Sequence, residues 1–141
     1  MPPPILTKDR LLSLLMAQFR KNGYDGTSMS DVTAKTGLGK SSLYHHFRGG
    51  KEEMAAAVLA HLATTFGPVF ESLRDDRAPA AKLDALLDAV DVFYDGGRTA
   101  CLLERLCASA DRARFAEPLK ASFGALIAAF AVSVAEPERR G

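Results

Sequence analysis

The chain has no tryptophan, only two cysteines in 141 residues, and a formal net charge of only +1. Such a balance does not by itself point to nucleic acid or to a membrane surface as partner. Long apolar runs are also missing. Leu11 to Met16 is broken by Ser13 and soon followed by Arg20 and Lys21, too short for a membrane span and without a signal-peptide cleavage pattern. The protein is therefore expected in the cytoplasm, with Cys101 and Cys107 reduced. Strand-period alternation, internal repeats and low-complexity segments are absent beyond a general richness in alanine. No helix carries paired carboxylates, a metal-ligand set or a nucleophile with a base in register, so an enzyme is not expected, and no cofactor.

What remains is a chain with 48% hydrophobic residues whose every long segment has helical period. The fold class is read as all-α. After a Pro-rich start (Pro2, Pro3, Pro4), expected to be a disordered arm, Thr7 caps a first helix with Leu12, Leu15, Met16 and Phe19 on its inward face, and Asn22-Gly23 ends it. A long helix begins at Lys51 with Glu52 and Glu53 in its first turn, where acidic groups suit the helix dipole. Gly50 is a weak cap there, so a frayed start is expected. Gly67-Pro68 interrupts that helix, either as a kink near Thr64 that serves as a bend or as a helix end at a domain boundary. A fifth helix carries Leu83, Leu86, Leu87, Val90 and Phe93. A sixth, around Thr99 to Ala108, carries Leu102, Leu103 and Leu106. A seventh, from about Phe115 to Val134, carries Leu119, Phe123, Leu126, Ile127, Phe130 and Val134.

The most informative stretch is Gly26 to Phe47, which reads as two very short helices joined at a glycine. Ser28 and Asp31 stand three apart and form a capping arrangement for the first. Val32 and Thr36 share a face, Gly37 supplies a left-handed terminus, and Leu38 plugs the angle between the helices. In the second helix Leu43 and Phe47, four apart, anchor inward. Lys40, Ser41, Ser42, Tyr44, His45 and His46 are left outside. This is the pattern of a helix-turn-helix that reads a major groove. Lys40 is the best candidate for a guanine edge, and Tyr44 for a phosphate, a sugar or a thymine methyl. For Tyr44 and the two histidines a packing role stays open. A metal site on His45 and His46 is not expected, because adjacent helix positions diverge by about 100°.

Gly23-Tyr24, Thr27-Ser28, Gly37-Leu38, Leu43-Tyr44-His45-His46-Phe47 and Lys51-Glu52-Glu53-Met54 together resemble the DNA-binding domain of the TetR family of bacterial transcriptional regulators. The resemblance implies a helix-turn-helix DNA-binding domain over residues 1–50 and a helical regulatory part, for ligand binding and dimerisation, over residues 51–141. By position it assigns Lys40, Ser41, Ser42, Tyr44, His45 and His46 to DNA contact, and Thr27, Ser28 and Lys51 to phosphates. The charge distribution agrees: residues 1–62 hold eight Lys or Arg against five Asp or Glu, the remainder ten against twelve.

The family further implies a double-stranded operator, a small-molecule effector that releases a repressor, and a homodimer. Phe66, Phe70, Phe93, Tyr94, Phe123 and Phe130 are the candidates to line the effector cavity, or else pack as core. Cys101, after the Gly96-Gly97-Arg98 turn, is a further candidate ligand-site residue. Either it is a small core residue, or it senses electrophiles or oxidants through a thiolate favoured by Arg98 and a helix N-terminus. Family members continue with two further helices beyond the point where this chain ends in Glu136-Pro137-Glu138-Arg139-Arg140-Gly141. That reads as a shortened member or a truncated form, and makes an interaction partner for a full-length relative the alternative function.

Overall fold

The computed structural model describes residues 5–135, and its regular structure there is entirely helical. The expected Pro2–Pro4 arm and the charged tail after Ala135 lie outside the described residues. Helix α1 (Lys8–Asn22) starts at Thr7, whose side chain accepts from the Arg10 amide at 3.2 Å. Leu11, Leu12, Leu15, Met16 and Phe19 face inward, as the spacing requires. The short helices α2 (Met29–Thr36) and α3 (Lys40–His46) follow. Gly37 between them adopts φ 74°, a left-handed conformation that disfavours any side chain with a Cβ.

Helix α4 (Lys51–Ser72) turns Met54, Ala55, Val58, Leu59 and Leu62 toward α1. It continues through Gly67-Pro68 to Ser72, which corrects the alternative of a helix end at that point. Pro68 has no N–H to give the Thr64 carbonyl, so one rung of the helix is missing without the helix ending. At Gly50, as expected of a weak cap, no side chain accepts from the first helical amides; Glu53 accepts instead from the Gly49 amide at 2.6 Å, which braces the loop ahead of the helix.

Helix α5 (Pro79–Phe93) packs against α7 (Ala116–Val134), and between them lie α6 (Leu102–Cys107) and a 3₁₀ turn at Arg112–Phe115. α6 is shorter than expected: Thr99 to Cys101 stay outside the helix, and Cys101 is an extended cap at φ −74°, ψ 126°, so the chain becomes helical only at Leu102. One core joins α1–α3, α4, Leu102, Leu103, Leu106, Phe115 and Leu119, so the first three helices and the later ones share a continuous interior. A second, smaller cluster of Leu73, Leu86 and Ala129 fills the far end.

Not every apolar residue at helical spacing on α5 and α7 is covered. Leu87, Phe123, Ile127, Phe130 and Val134 are exposed, while Leu119, Ala129 and Ser133 are the residues that α7 buries. α7 is apolar on nearly all sides, and its neighbours α4 and α5 cover only one of them. By length and composition alone, α4 and the stretch Arg112–Val134 are long and apolar enough to cross a membrane.

Candidate nucleic-acid interface

α3 is a seven-residue helix held from beneath. Leu43 is fully buried and Phe47 nearly so, while Lys40, Ser41, Ser42, Tyr44, His45 and His46 are all exposed. Seven residues cannot hold a helix in water unaided, so its position depends on those two anchors. Gly50, at φ 67°, folds the chain back so closely that a Cβ there would meet the Tyr44 ring at 3.4 Å. Tyr44 thus leans on the loop and remains 46% exposed, its hydroxyl free to donate.

The start of α2 is fixed by a reciprocal pair. The Asp31 amide donates to Ser28 Oγ at 3.1 Å, and the Ser28 amide donates to Asp31 Oδ2 at 2.8 Å. The hydrogen bond from the Ser28 amide, then that with its side chain, holds the Asp31 carboxyl below the usual carboxylate range. The exposed Ser28 hydroxyl keeps its own proton to offer to a phosphate at the mouth of the helix.

Thr27 and Lys51 differ from the sequence expectation. Thr27 is 1% exposed, and its hydroxyl donates to the Gly23 carbonyl at 2.6 Å, so no group of its side chain reaches a phosphate. It is a fastening of the α1–α2 link. Lys51 Nζ donates to the carbonyls of Tyr24 at 2.9 Å and Thr27 at 3.1 Å, and lies 4.2 Å from the Tyr24 ring centre. Two of its three protons are therefore engaged inside, leaving one for a phosphate. Sequence reasoning missed Arg48. It is exposed in the loop between α3 and α4, beside the inward Phe47, and its charge next to the end of α3 was the available signal.

The expected effector residues divide. Phe66, Phe70, Tyr94 and Phe130 line an apolar cavity of about 210 Å³ together with Leu62, Leu103 and Leu126. Phe93 closes on Phe66 edge-to-face at 4.8 Å but faces a different cleft. Phe123 is exposed and outside the cavity. Cys101 is part-buried and receives a hydrogen bond from the Tyr94 hydroxyl at 3.3 Å. Arg98, expected to favour its thiolate, is instead held by Asp95 through contacts of 2.8 and 3.0 Å, and the following helix has only six residues. The setting invoked for a reactive thiol is therefore not assembled. Among the described residues no three His, Cys, Asp or Glu side chains are grouped as metal ligands.

Comparison with known proteins places the match on this same region. The family of bacterial regulatory proteins of the tetR type matches residues 11–58. The chain is 39% identical over 49 residues to the HTH-type transcriptional regulator LmrA of Bacillus subtilis, covering 35% of this chain and 26% of that protein. It is 34% identical over 87 residues to the HTH-type transcriptional repressor KstR2 of Mycolicibacterium smegmatis, covering 61% of this chain and 42% of that one. An uncharacterized HTH-type transcriptional regulator from the lacX 3' region of Lactococcus lactis is 31% identical over 83 residues, 58% of this chain and 42% of its own length. The chain thus spans less than half the length of these relatives. No solved structure matches it significantly.

Proposed function

We propose, from the match of residues 11–58 to the tetR family of bacterial regulatory proteins, that this chain is a TetR-type transcriptional repressor that a small apolar effector releases from its operator. The observation that carries the reading is the division of α3. Leu43 and Phe47 are sunk in the core while Lys40, Ser41, Ser42, Tyr44, His45 and His46 stand clear as one polar surface. A rigidly seated short helix with such a surface fits a major groove. Ser28, Lys51 and Arg48 flank it as phosphate contacts, and they set register rather than sequence. The similar KstR2 protein is a repressor by name, which favours repression as the output here.

Residues 1–50 act as the reading unit and 51–141 as the regulatory part. The apolar cavity between α4, α5, α6 and α7, with Phe66, Phe70, Tyr94 and Phe130 in its wall, receives the effector. The missing rung at Pro68 is the place where α4 bends when it is filled. Two copies pair through the uncovered face of α7, setting their recognition helices about one duplex turn apart on a palindromic site in the cytoplasm. A gel-shift assay against the DNA upstream of its own gene, repeated at several protein concentrations and with a scrambled duplex, tests this. A sharp, sequence-dependent shift supports it. Equal binding to both duplexes, or none, overturns it.

A further inference from the structure

A second cleft, of about 610 Å³, opens where α1, α4 and the segment from Phe93 to Arg105 meet. Its chemistry is opposite to that of the apolar cavity. Arg20 and Lys21 from the end of α1, with Arg98 and Arg105 from across the seam, bring four cations to its wall, and no carboxylate is among its lining residues. Two of the four cations have carboxylate partners outside the lining: Asp95 holds Arg98 at 2.8 Å, and Glu104 approaches Arg105 at 3.9 Å. Met16 and Phe93 supply an apolar floor, and Ser13 and Thr99 supply hydroxyls.

Arg20 is the residue that asks for a ligand. It is only 8% exposed, yet no carboxylate among the described residues pairs with it. Its Nε donates to the Ala100 carbonyl at 2.7 Å and its Nη2 to the Phe93 carbonyl at 3.3 Å, while Nη1 has no partner among the described residues. The guanidinium lies 4.5 Å from the Phe93 ring centre. Nη1 is not sealed from solvent, and with only neutral carbonyls and the Phe93 and Tyr94 rings as protein partners the guanidinium keeps a charge that an anion entering the cleft would pair with. Lys21, exposed at the rim, likewise takes part in no ion pair among the described residues.

We propose that this cleft binds a small organic anion, its oxyanion set against Arg20 and Lys21 and its apolar portion on Met16 and Phe93. The site lies between the helix-turn-helix unit and the later helices. Arg20 and Arg105, whose Nε donates to the Arg20 carbonyl at 3.1 Å, tie those two parts together. An occupant therefore acts on the ties themselves, and it biases whichever arrangement of the two parts it binds better.

Isothermal titration of the full chain, without DNA, with octanoate, hexyl phosphate and neutral octanamide is the test. The expected result is saturable binding of a charged probe, with octanamide at least about tenfold weaker. The double variant Lys21→Gln/Arg98→Gln, both side chains exposed, is expected to melt like the parent and bind the charged probe about tenfold more weakly. Binding of only octanoate, or only hexyl phosphate, supports the site and fixes its oxyanion as carboxylate or phosphate. Octanamide binding as tightly as octanoate, unaltered affinity in the double variant, or no saturable binding of either charged probe overturns the proposal. Because no DNA is present, that failure leaves the operator reading untouched.

Discussion

The Asp25 carboxylate, in the link between α1 and α2, accepts a hydrogen bond from the Ser109 hydroxyl at 2.6 Å and another from the Ala110 amide at 2.8 Å. It fastens the helix-turn-helix unit to the end of α6, beside the edge-to-face pair of Tyr24 and Phe115 at 4.7 Å. The Ser109 hydroxyl first, and the Ala110 amide next, hold the Asp25 carboxyl below the usual carboxylate range. A carboxyl whose pKa is lower folded than unfolded stabilises the fold fully above its unfolded value, roughly pH 4, and loses that contribution as pH falls through the folded value. Asp25→Ala is therefore expected to lower Tm at pH 7, with the gap from the parent closing as the pH is taken below about 4. Thermal melts followed by circular dichroism across pH check this. A variant that melts with the parent at pH 7 would show the tie to be idle.

Lys40→Ala and Tyr44→Ala remove exposed groups from α3 and leave Leu43 and Phe47 in place. Each is expected to weaken operator binding by about 1–3 kcal/mol, as loss of a specific contact does. Fluorescence anisotropy with labelled operator measures it. Should both variants bind like the parent, the outer face of α3 is not the reading surface.

The helix-turn-helix was legible because its determinants are local. The Ser28–Asp31 capping pair, the left-handed Gly37 and the Leu43–Phe47 spacing each act within a few residues. What was not legible depends on partners far along the chain. A threonine hydroxyl suits a phosphate and a carbonyl equally well, and only the fold shows that Thr27 is turned in to Gly23. The same holds for Lys51, whose carbonyl partners lie 24 and 27 residues away. Around the apolar cavity, Phe130 is in the wall while Phe123, two turns earlier on the same face of α7, lies beyond it, because helical period gives a face and not where along the helix a neighbour covers it.

That difference separates Thr27 from Lys51 experimentally. Thr27→Val deletes a buried hydrogen bond and is expected to cost about 1 kcal/mol of stability, with the salt dependence of DNA binding unchanged. Lys51→Ala is expected to cost about 1 kcal/mol of stability, the side chain being part-exposed. It should also weaken binding to every duplex and lower the salt slope by about one. Urea unfolding and salt titrations of binding read the two quantities apart. A reduced slope in Thr27→Val would restore that residue to the DNA surface.

Pro68 leaves the Thr64 carbonyl without its helical donor, in a helix that otherwise continues to Ser72. Pro68→Ala restores that rung at an exposed position and is expected to stabilise the chain by about 1–3 kcal/mol. If α4 bends there in use, the stiffened helix also alters operator affinity. Unchanged stability and unchanged affinity together would remove Pro68 as a hinge.

On α7, Phe123, Ile127, Phe130 and Val134 recur at steps of four, three and four residues, which lines them along one face, and all four are exposed. That spacing is the seam by which two helices interlock, and Ile127, at 69% exposure, stands near its middle. Ile127→Glu should leave the monomer fold intact, because the side chain touches little of the core. In a paired state it would bury a carboxylate without a partner, so self-association is expected to weaken by at least about 100-fold. Analytical ultracentrifugation over a concentration series measures the shift, and gel shifts on a palindrome should lose the slower, doubly occupied band in parallel. A parent chain that stays monomeric at every concentration, or a variant that pairs as the parent does, would remove this face as the route by which two recognition helices reach one operator.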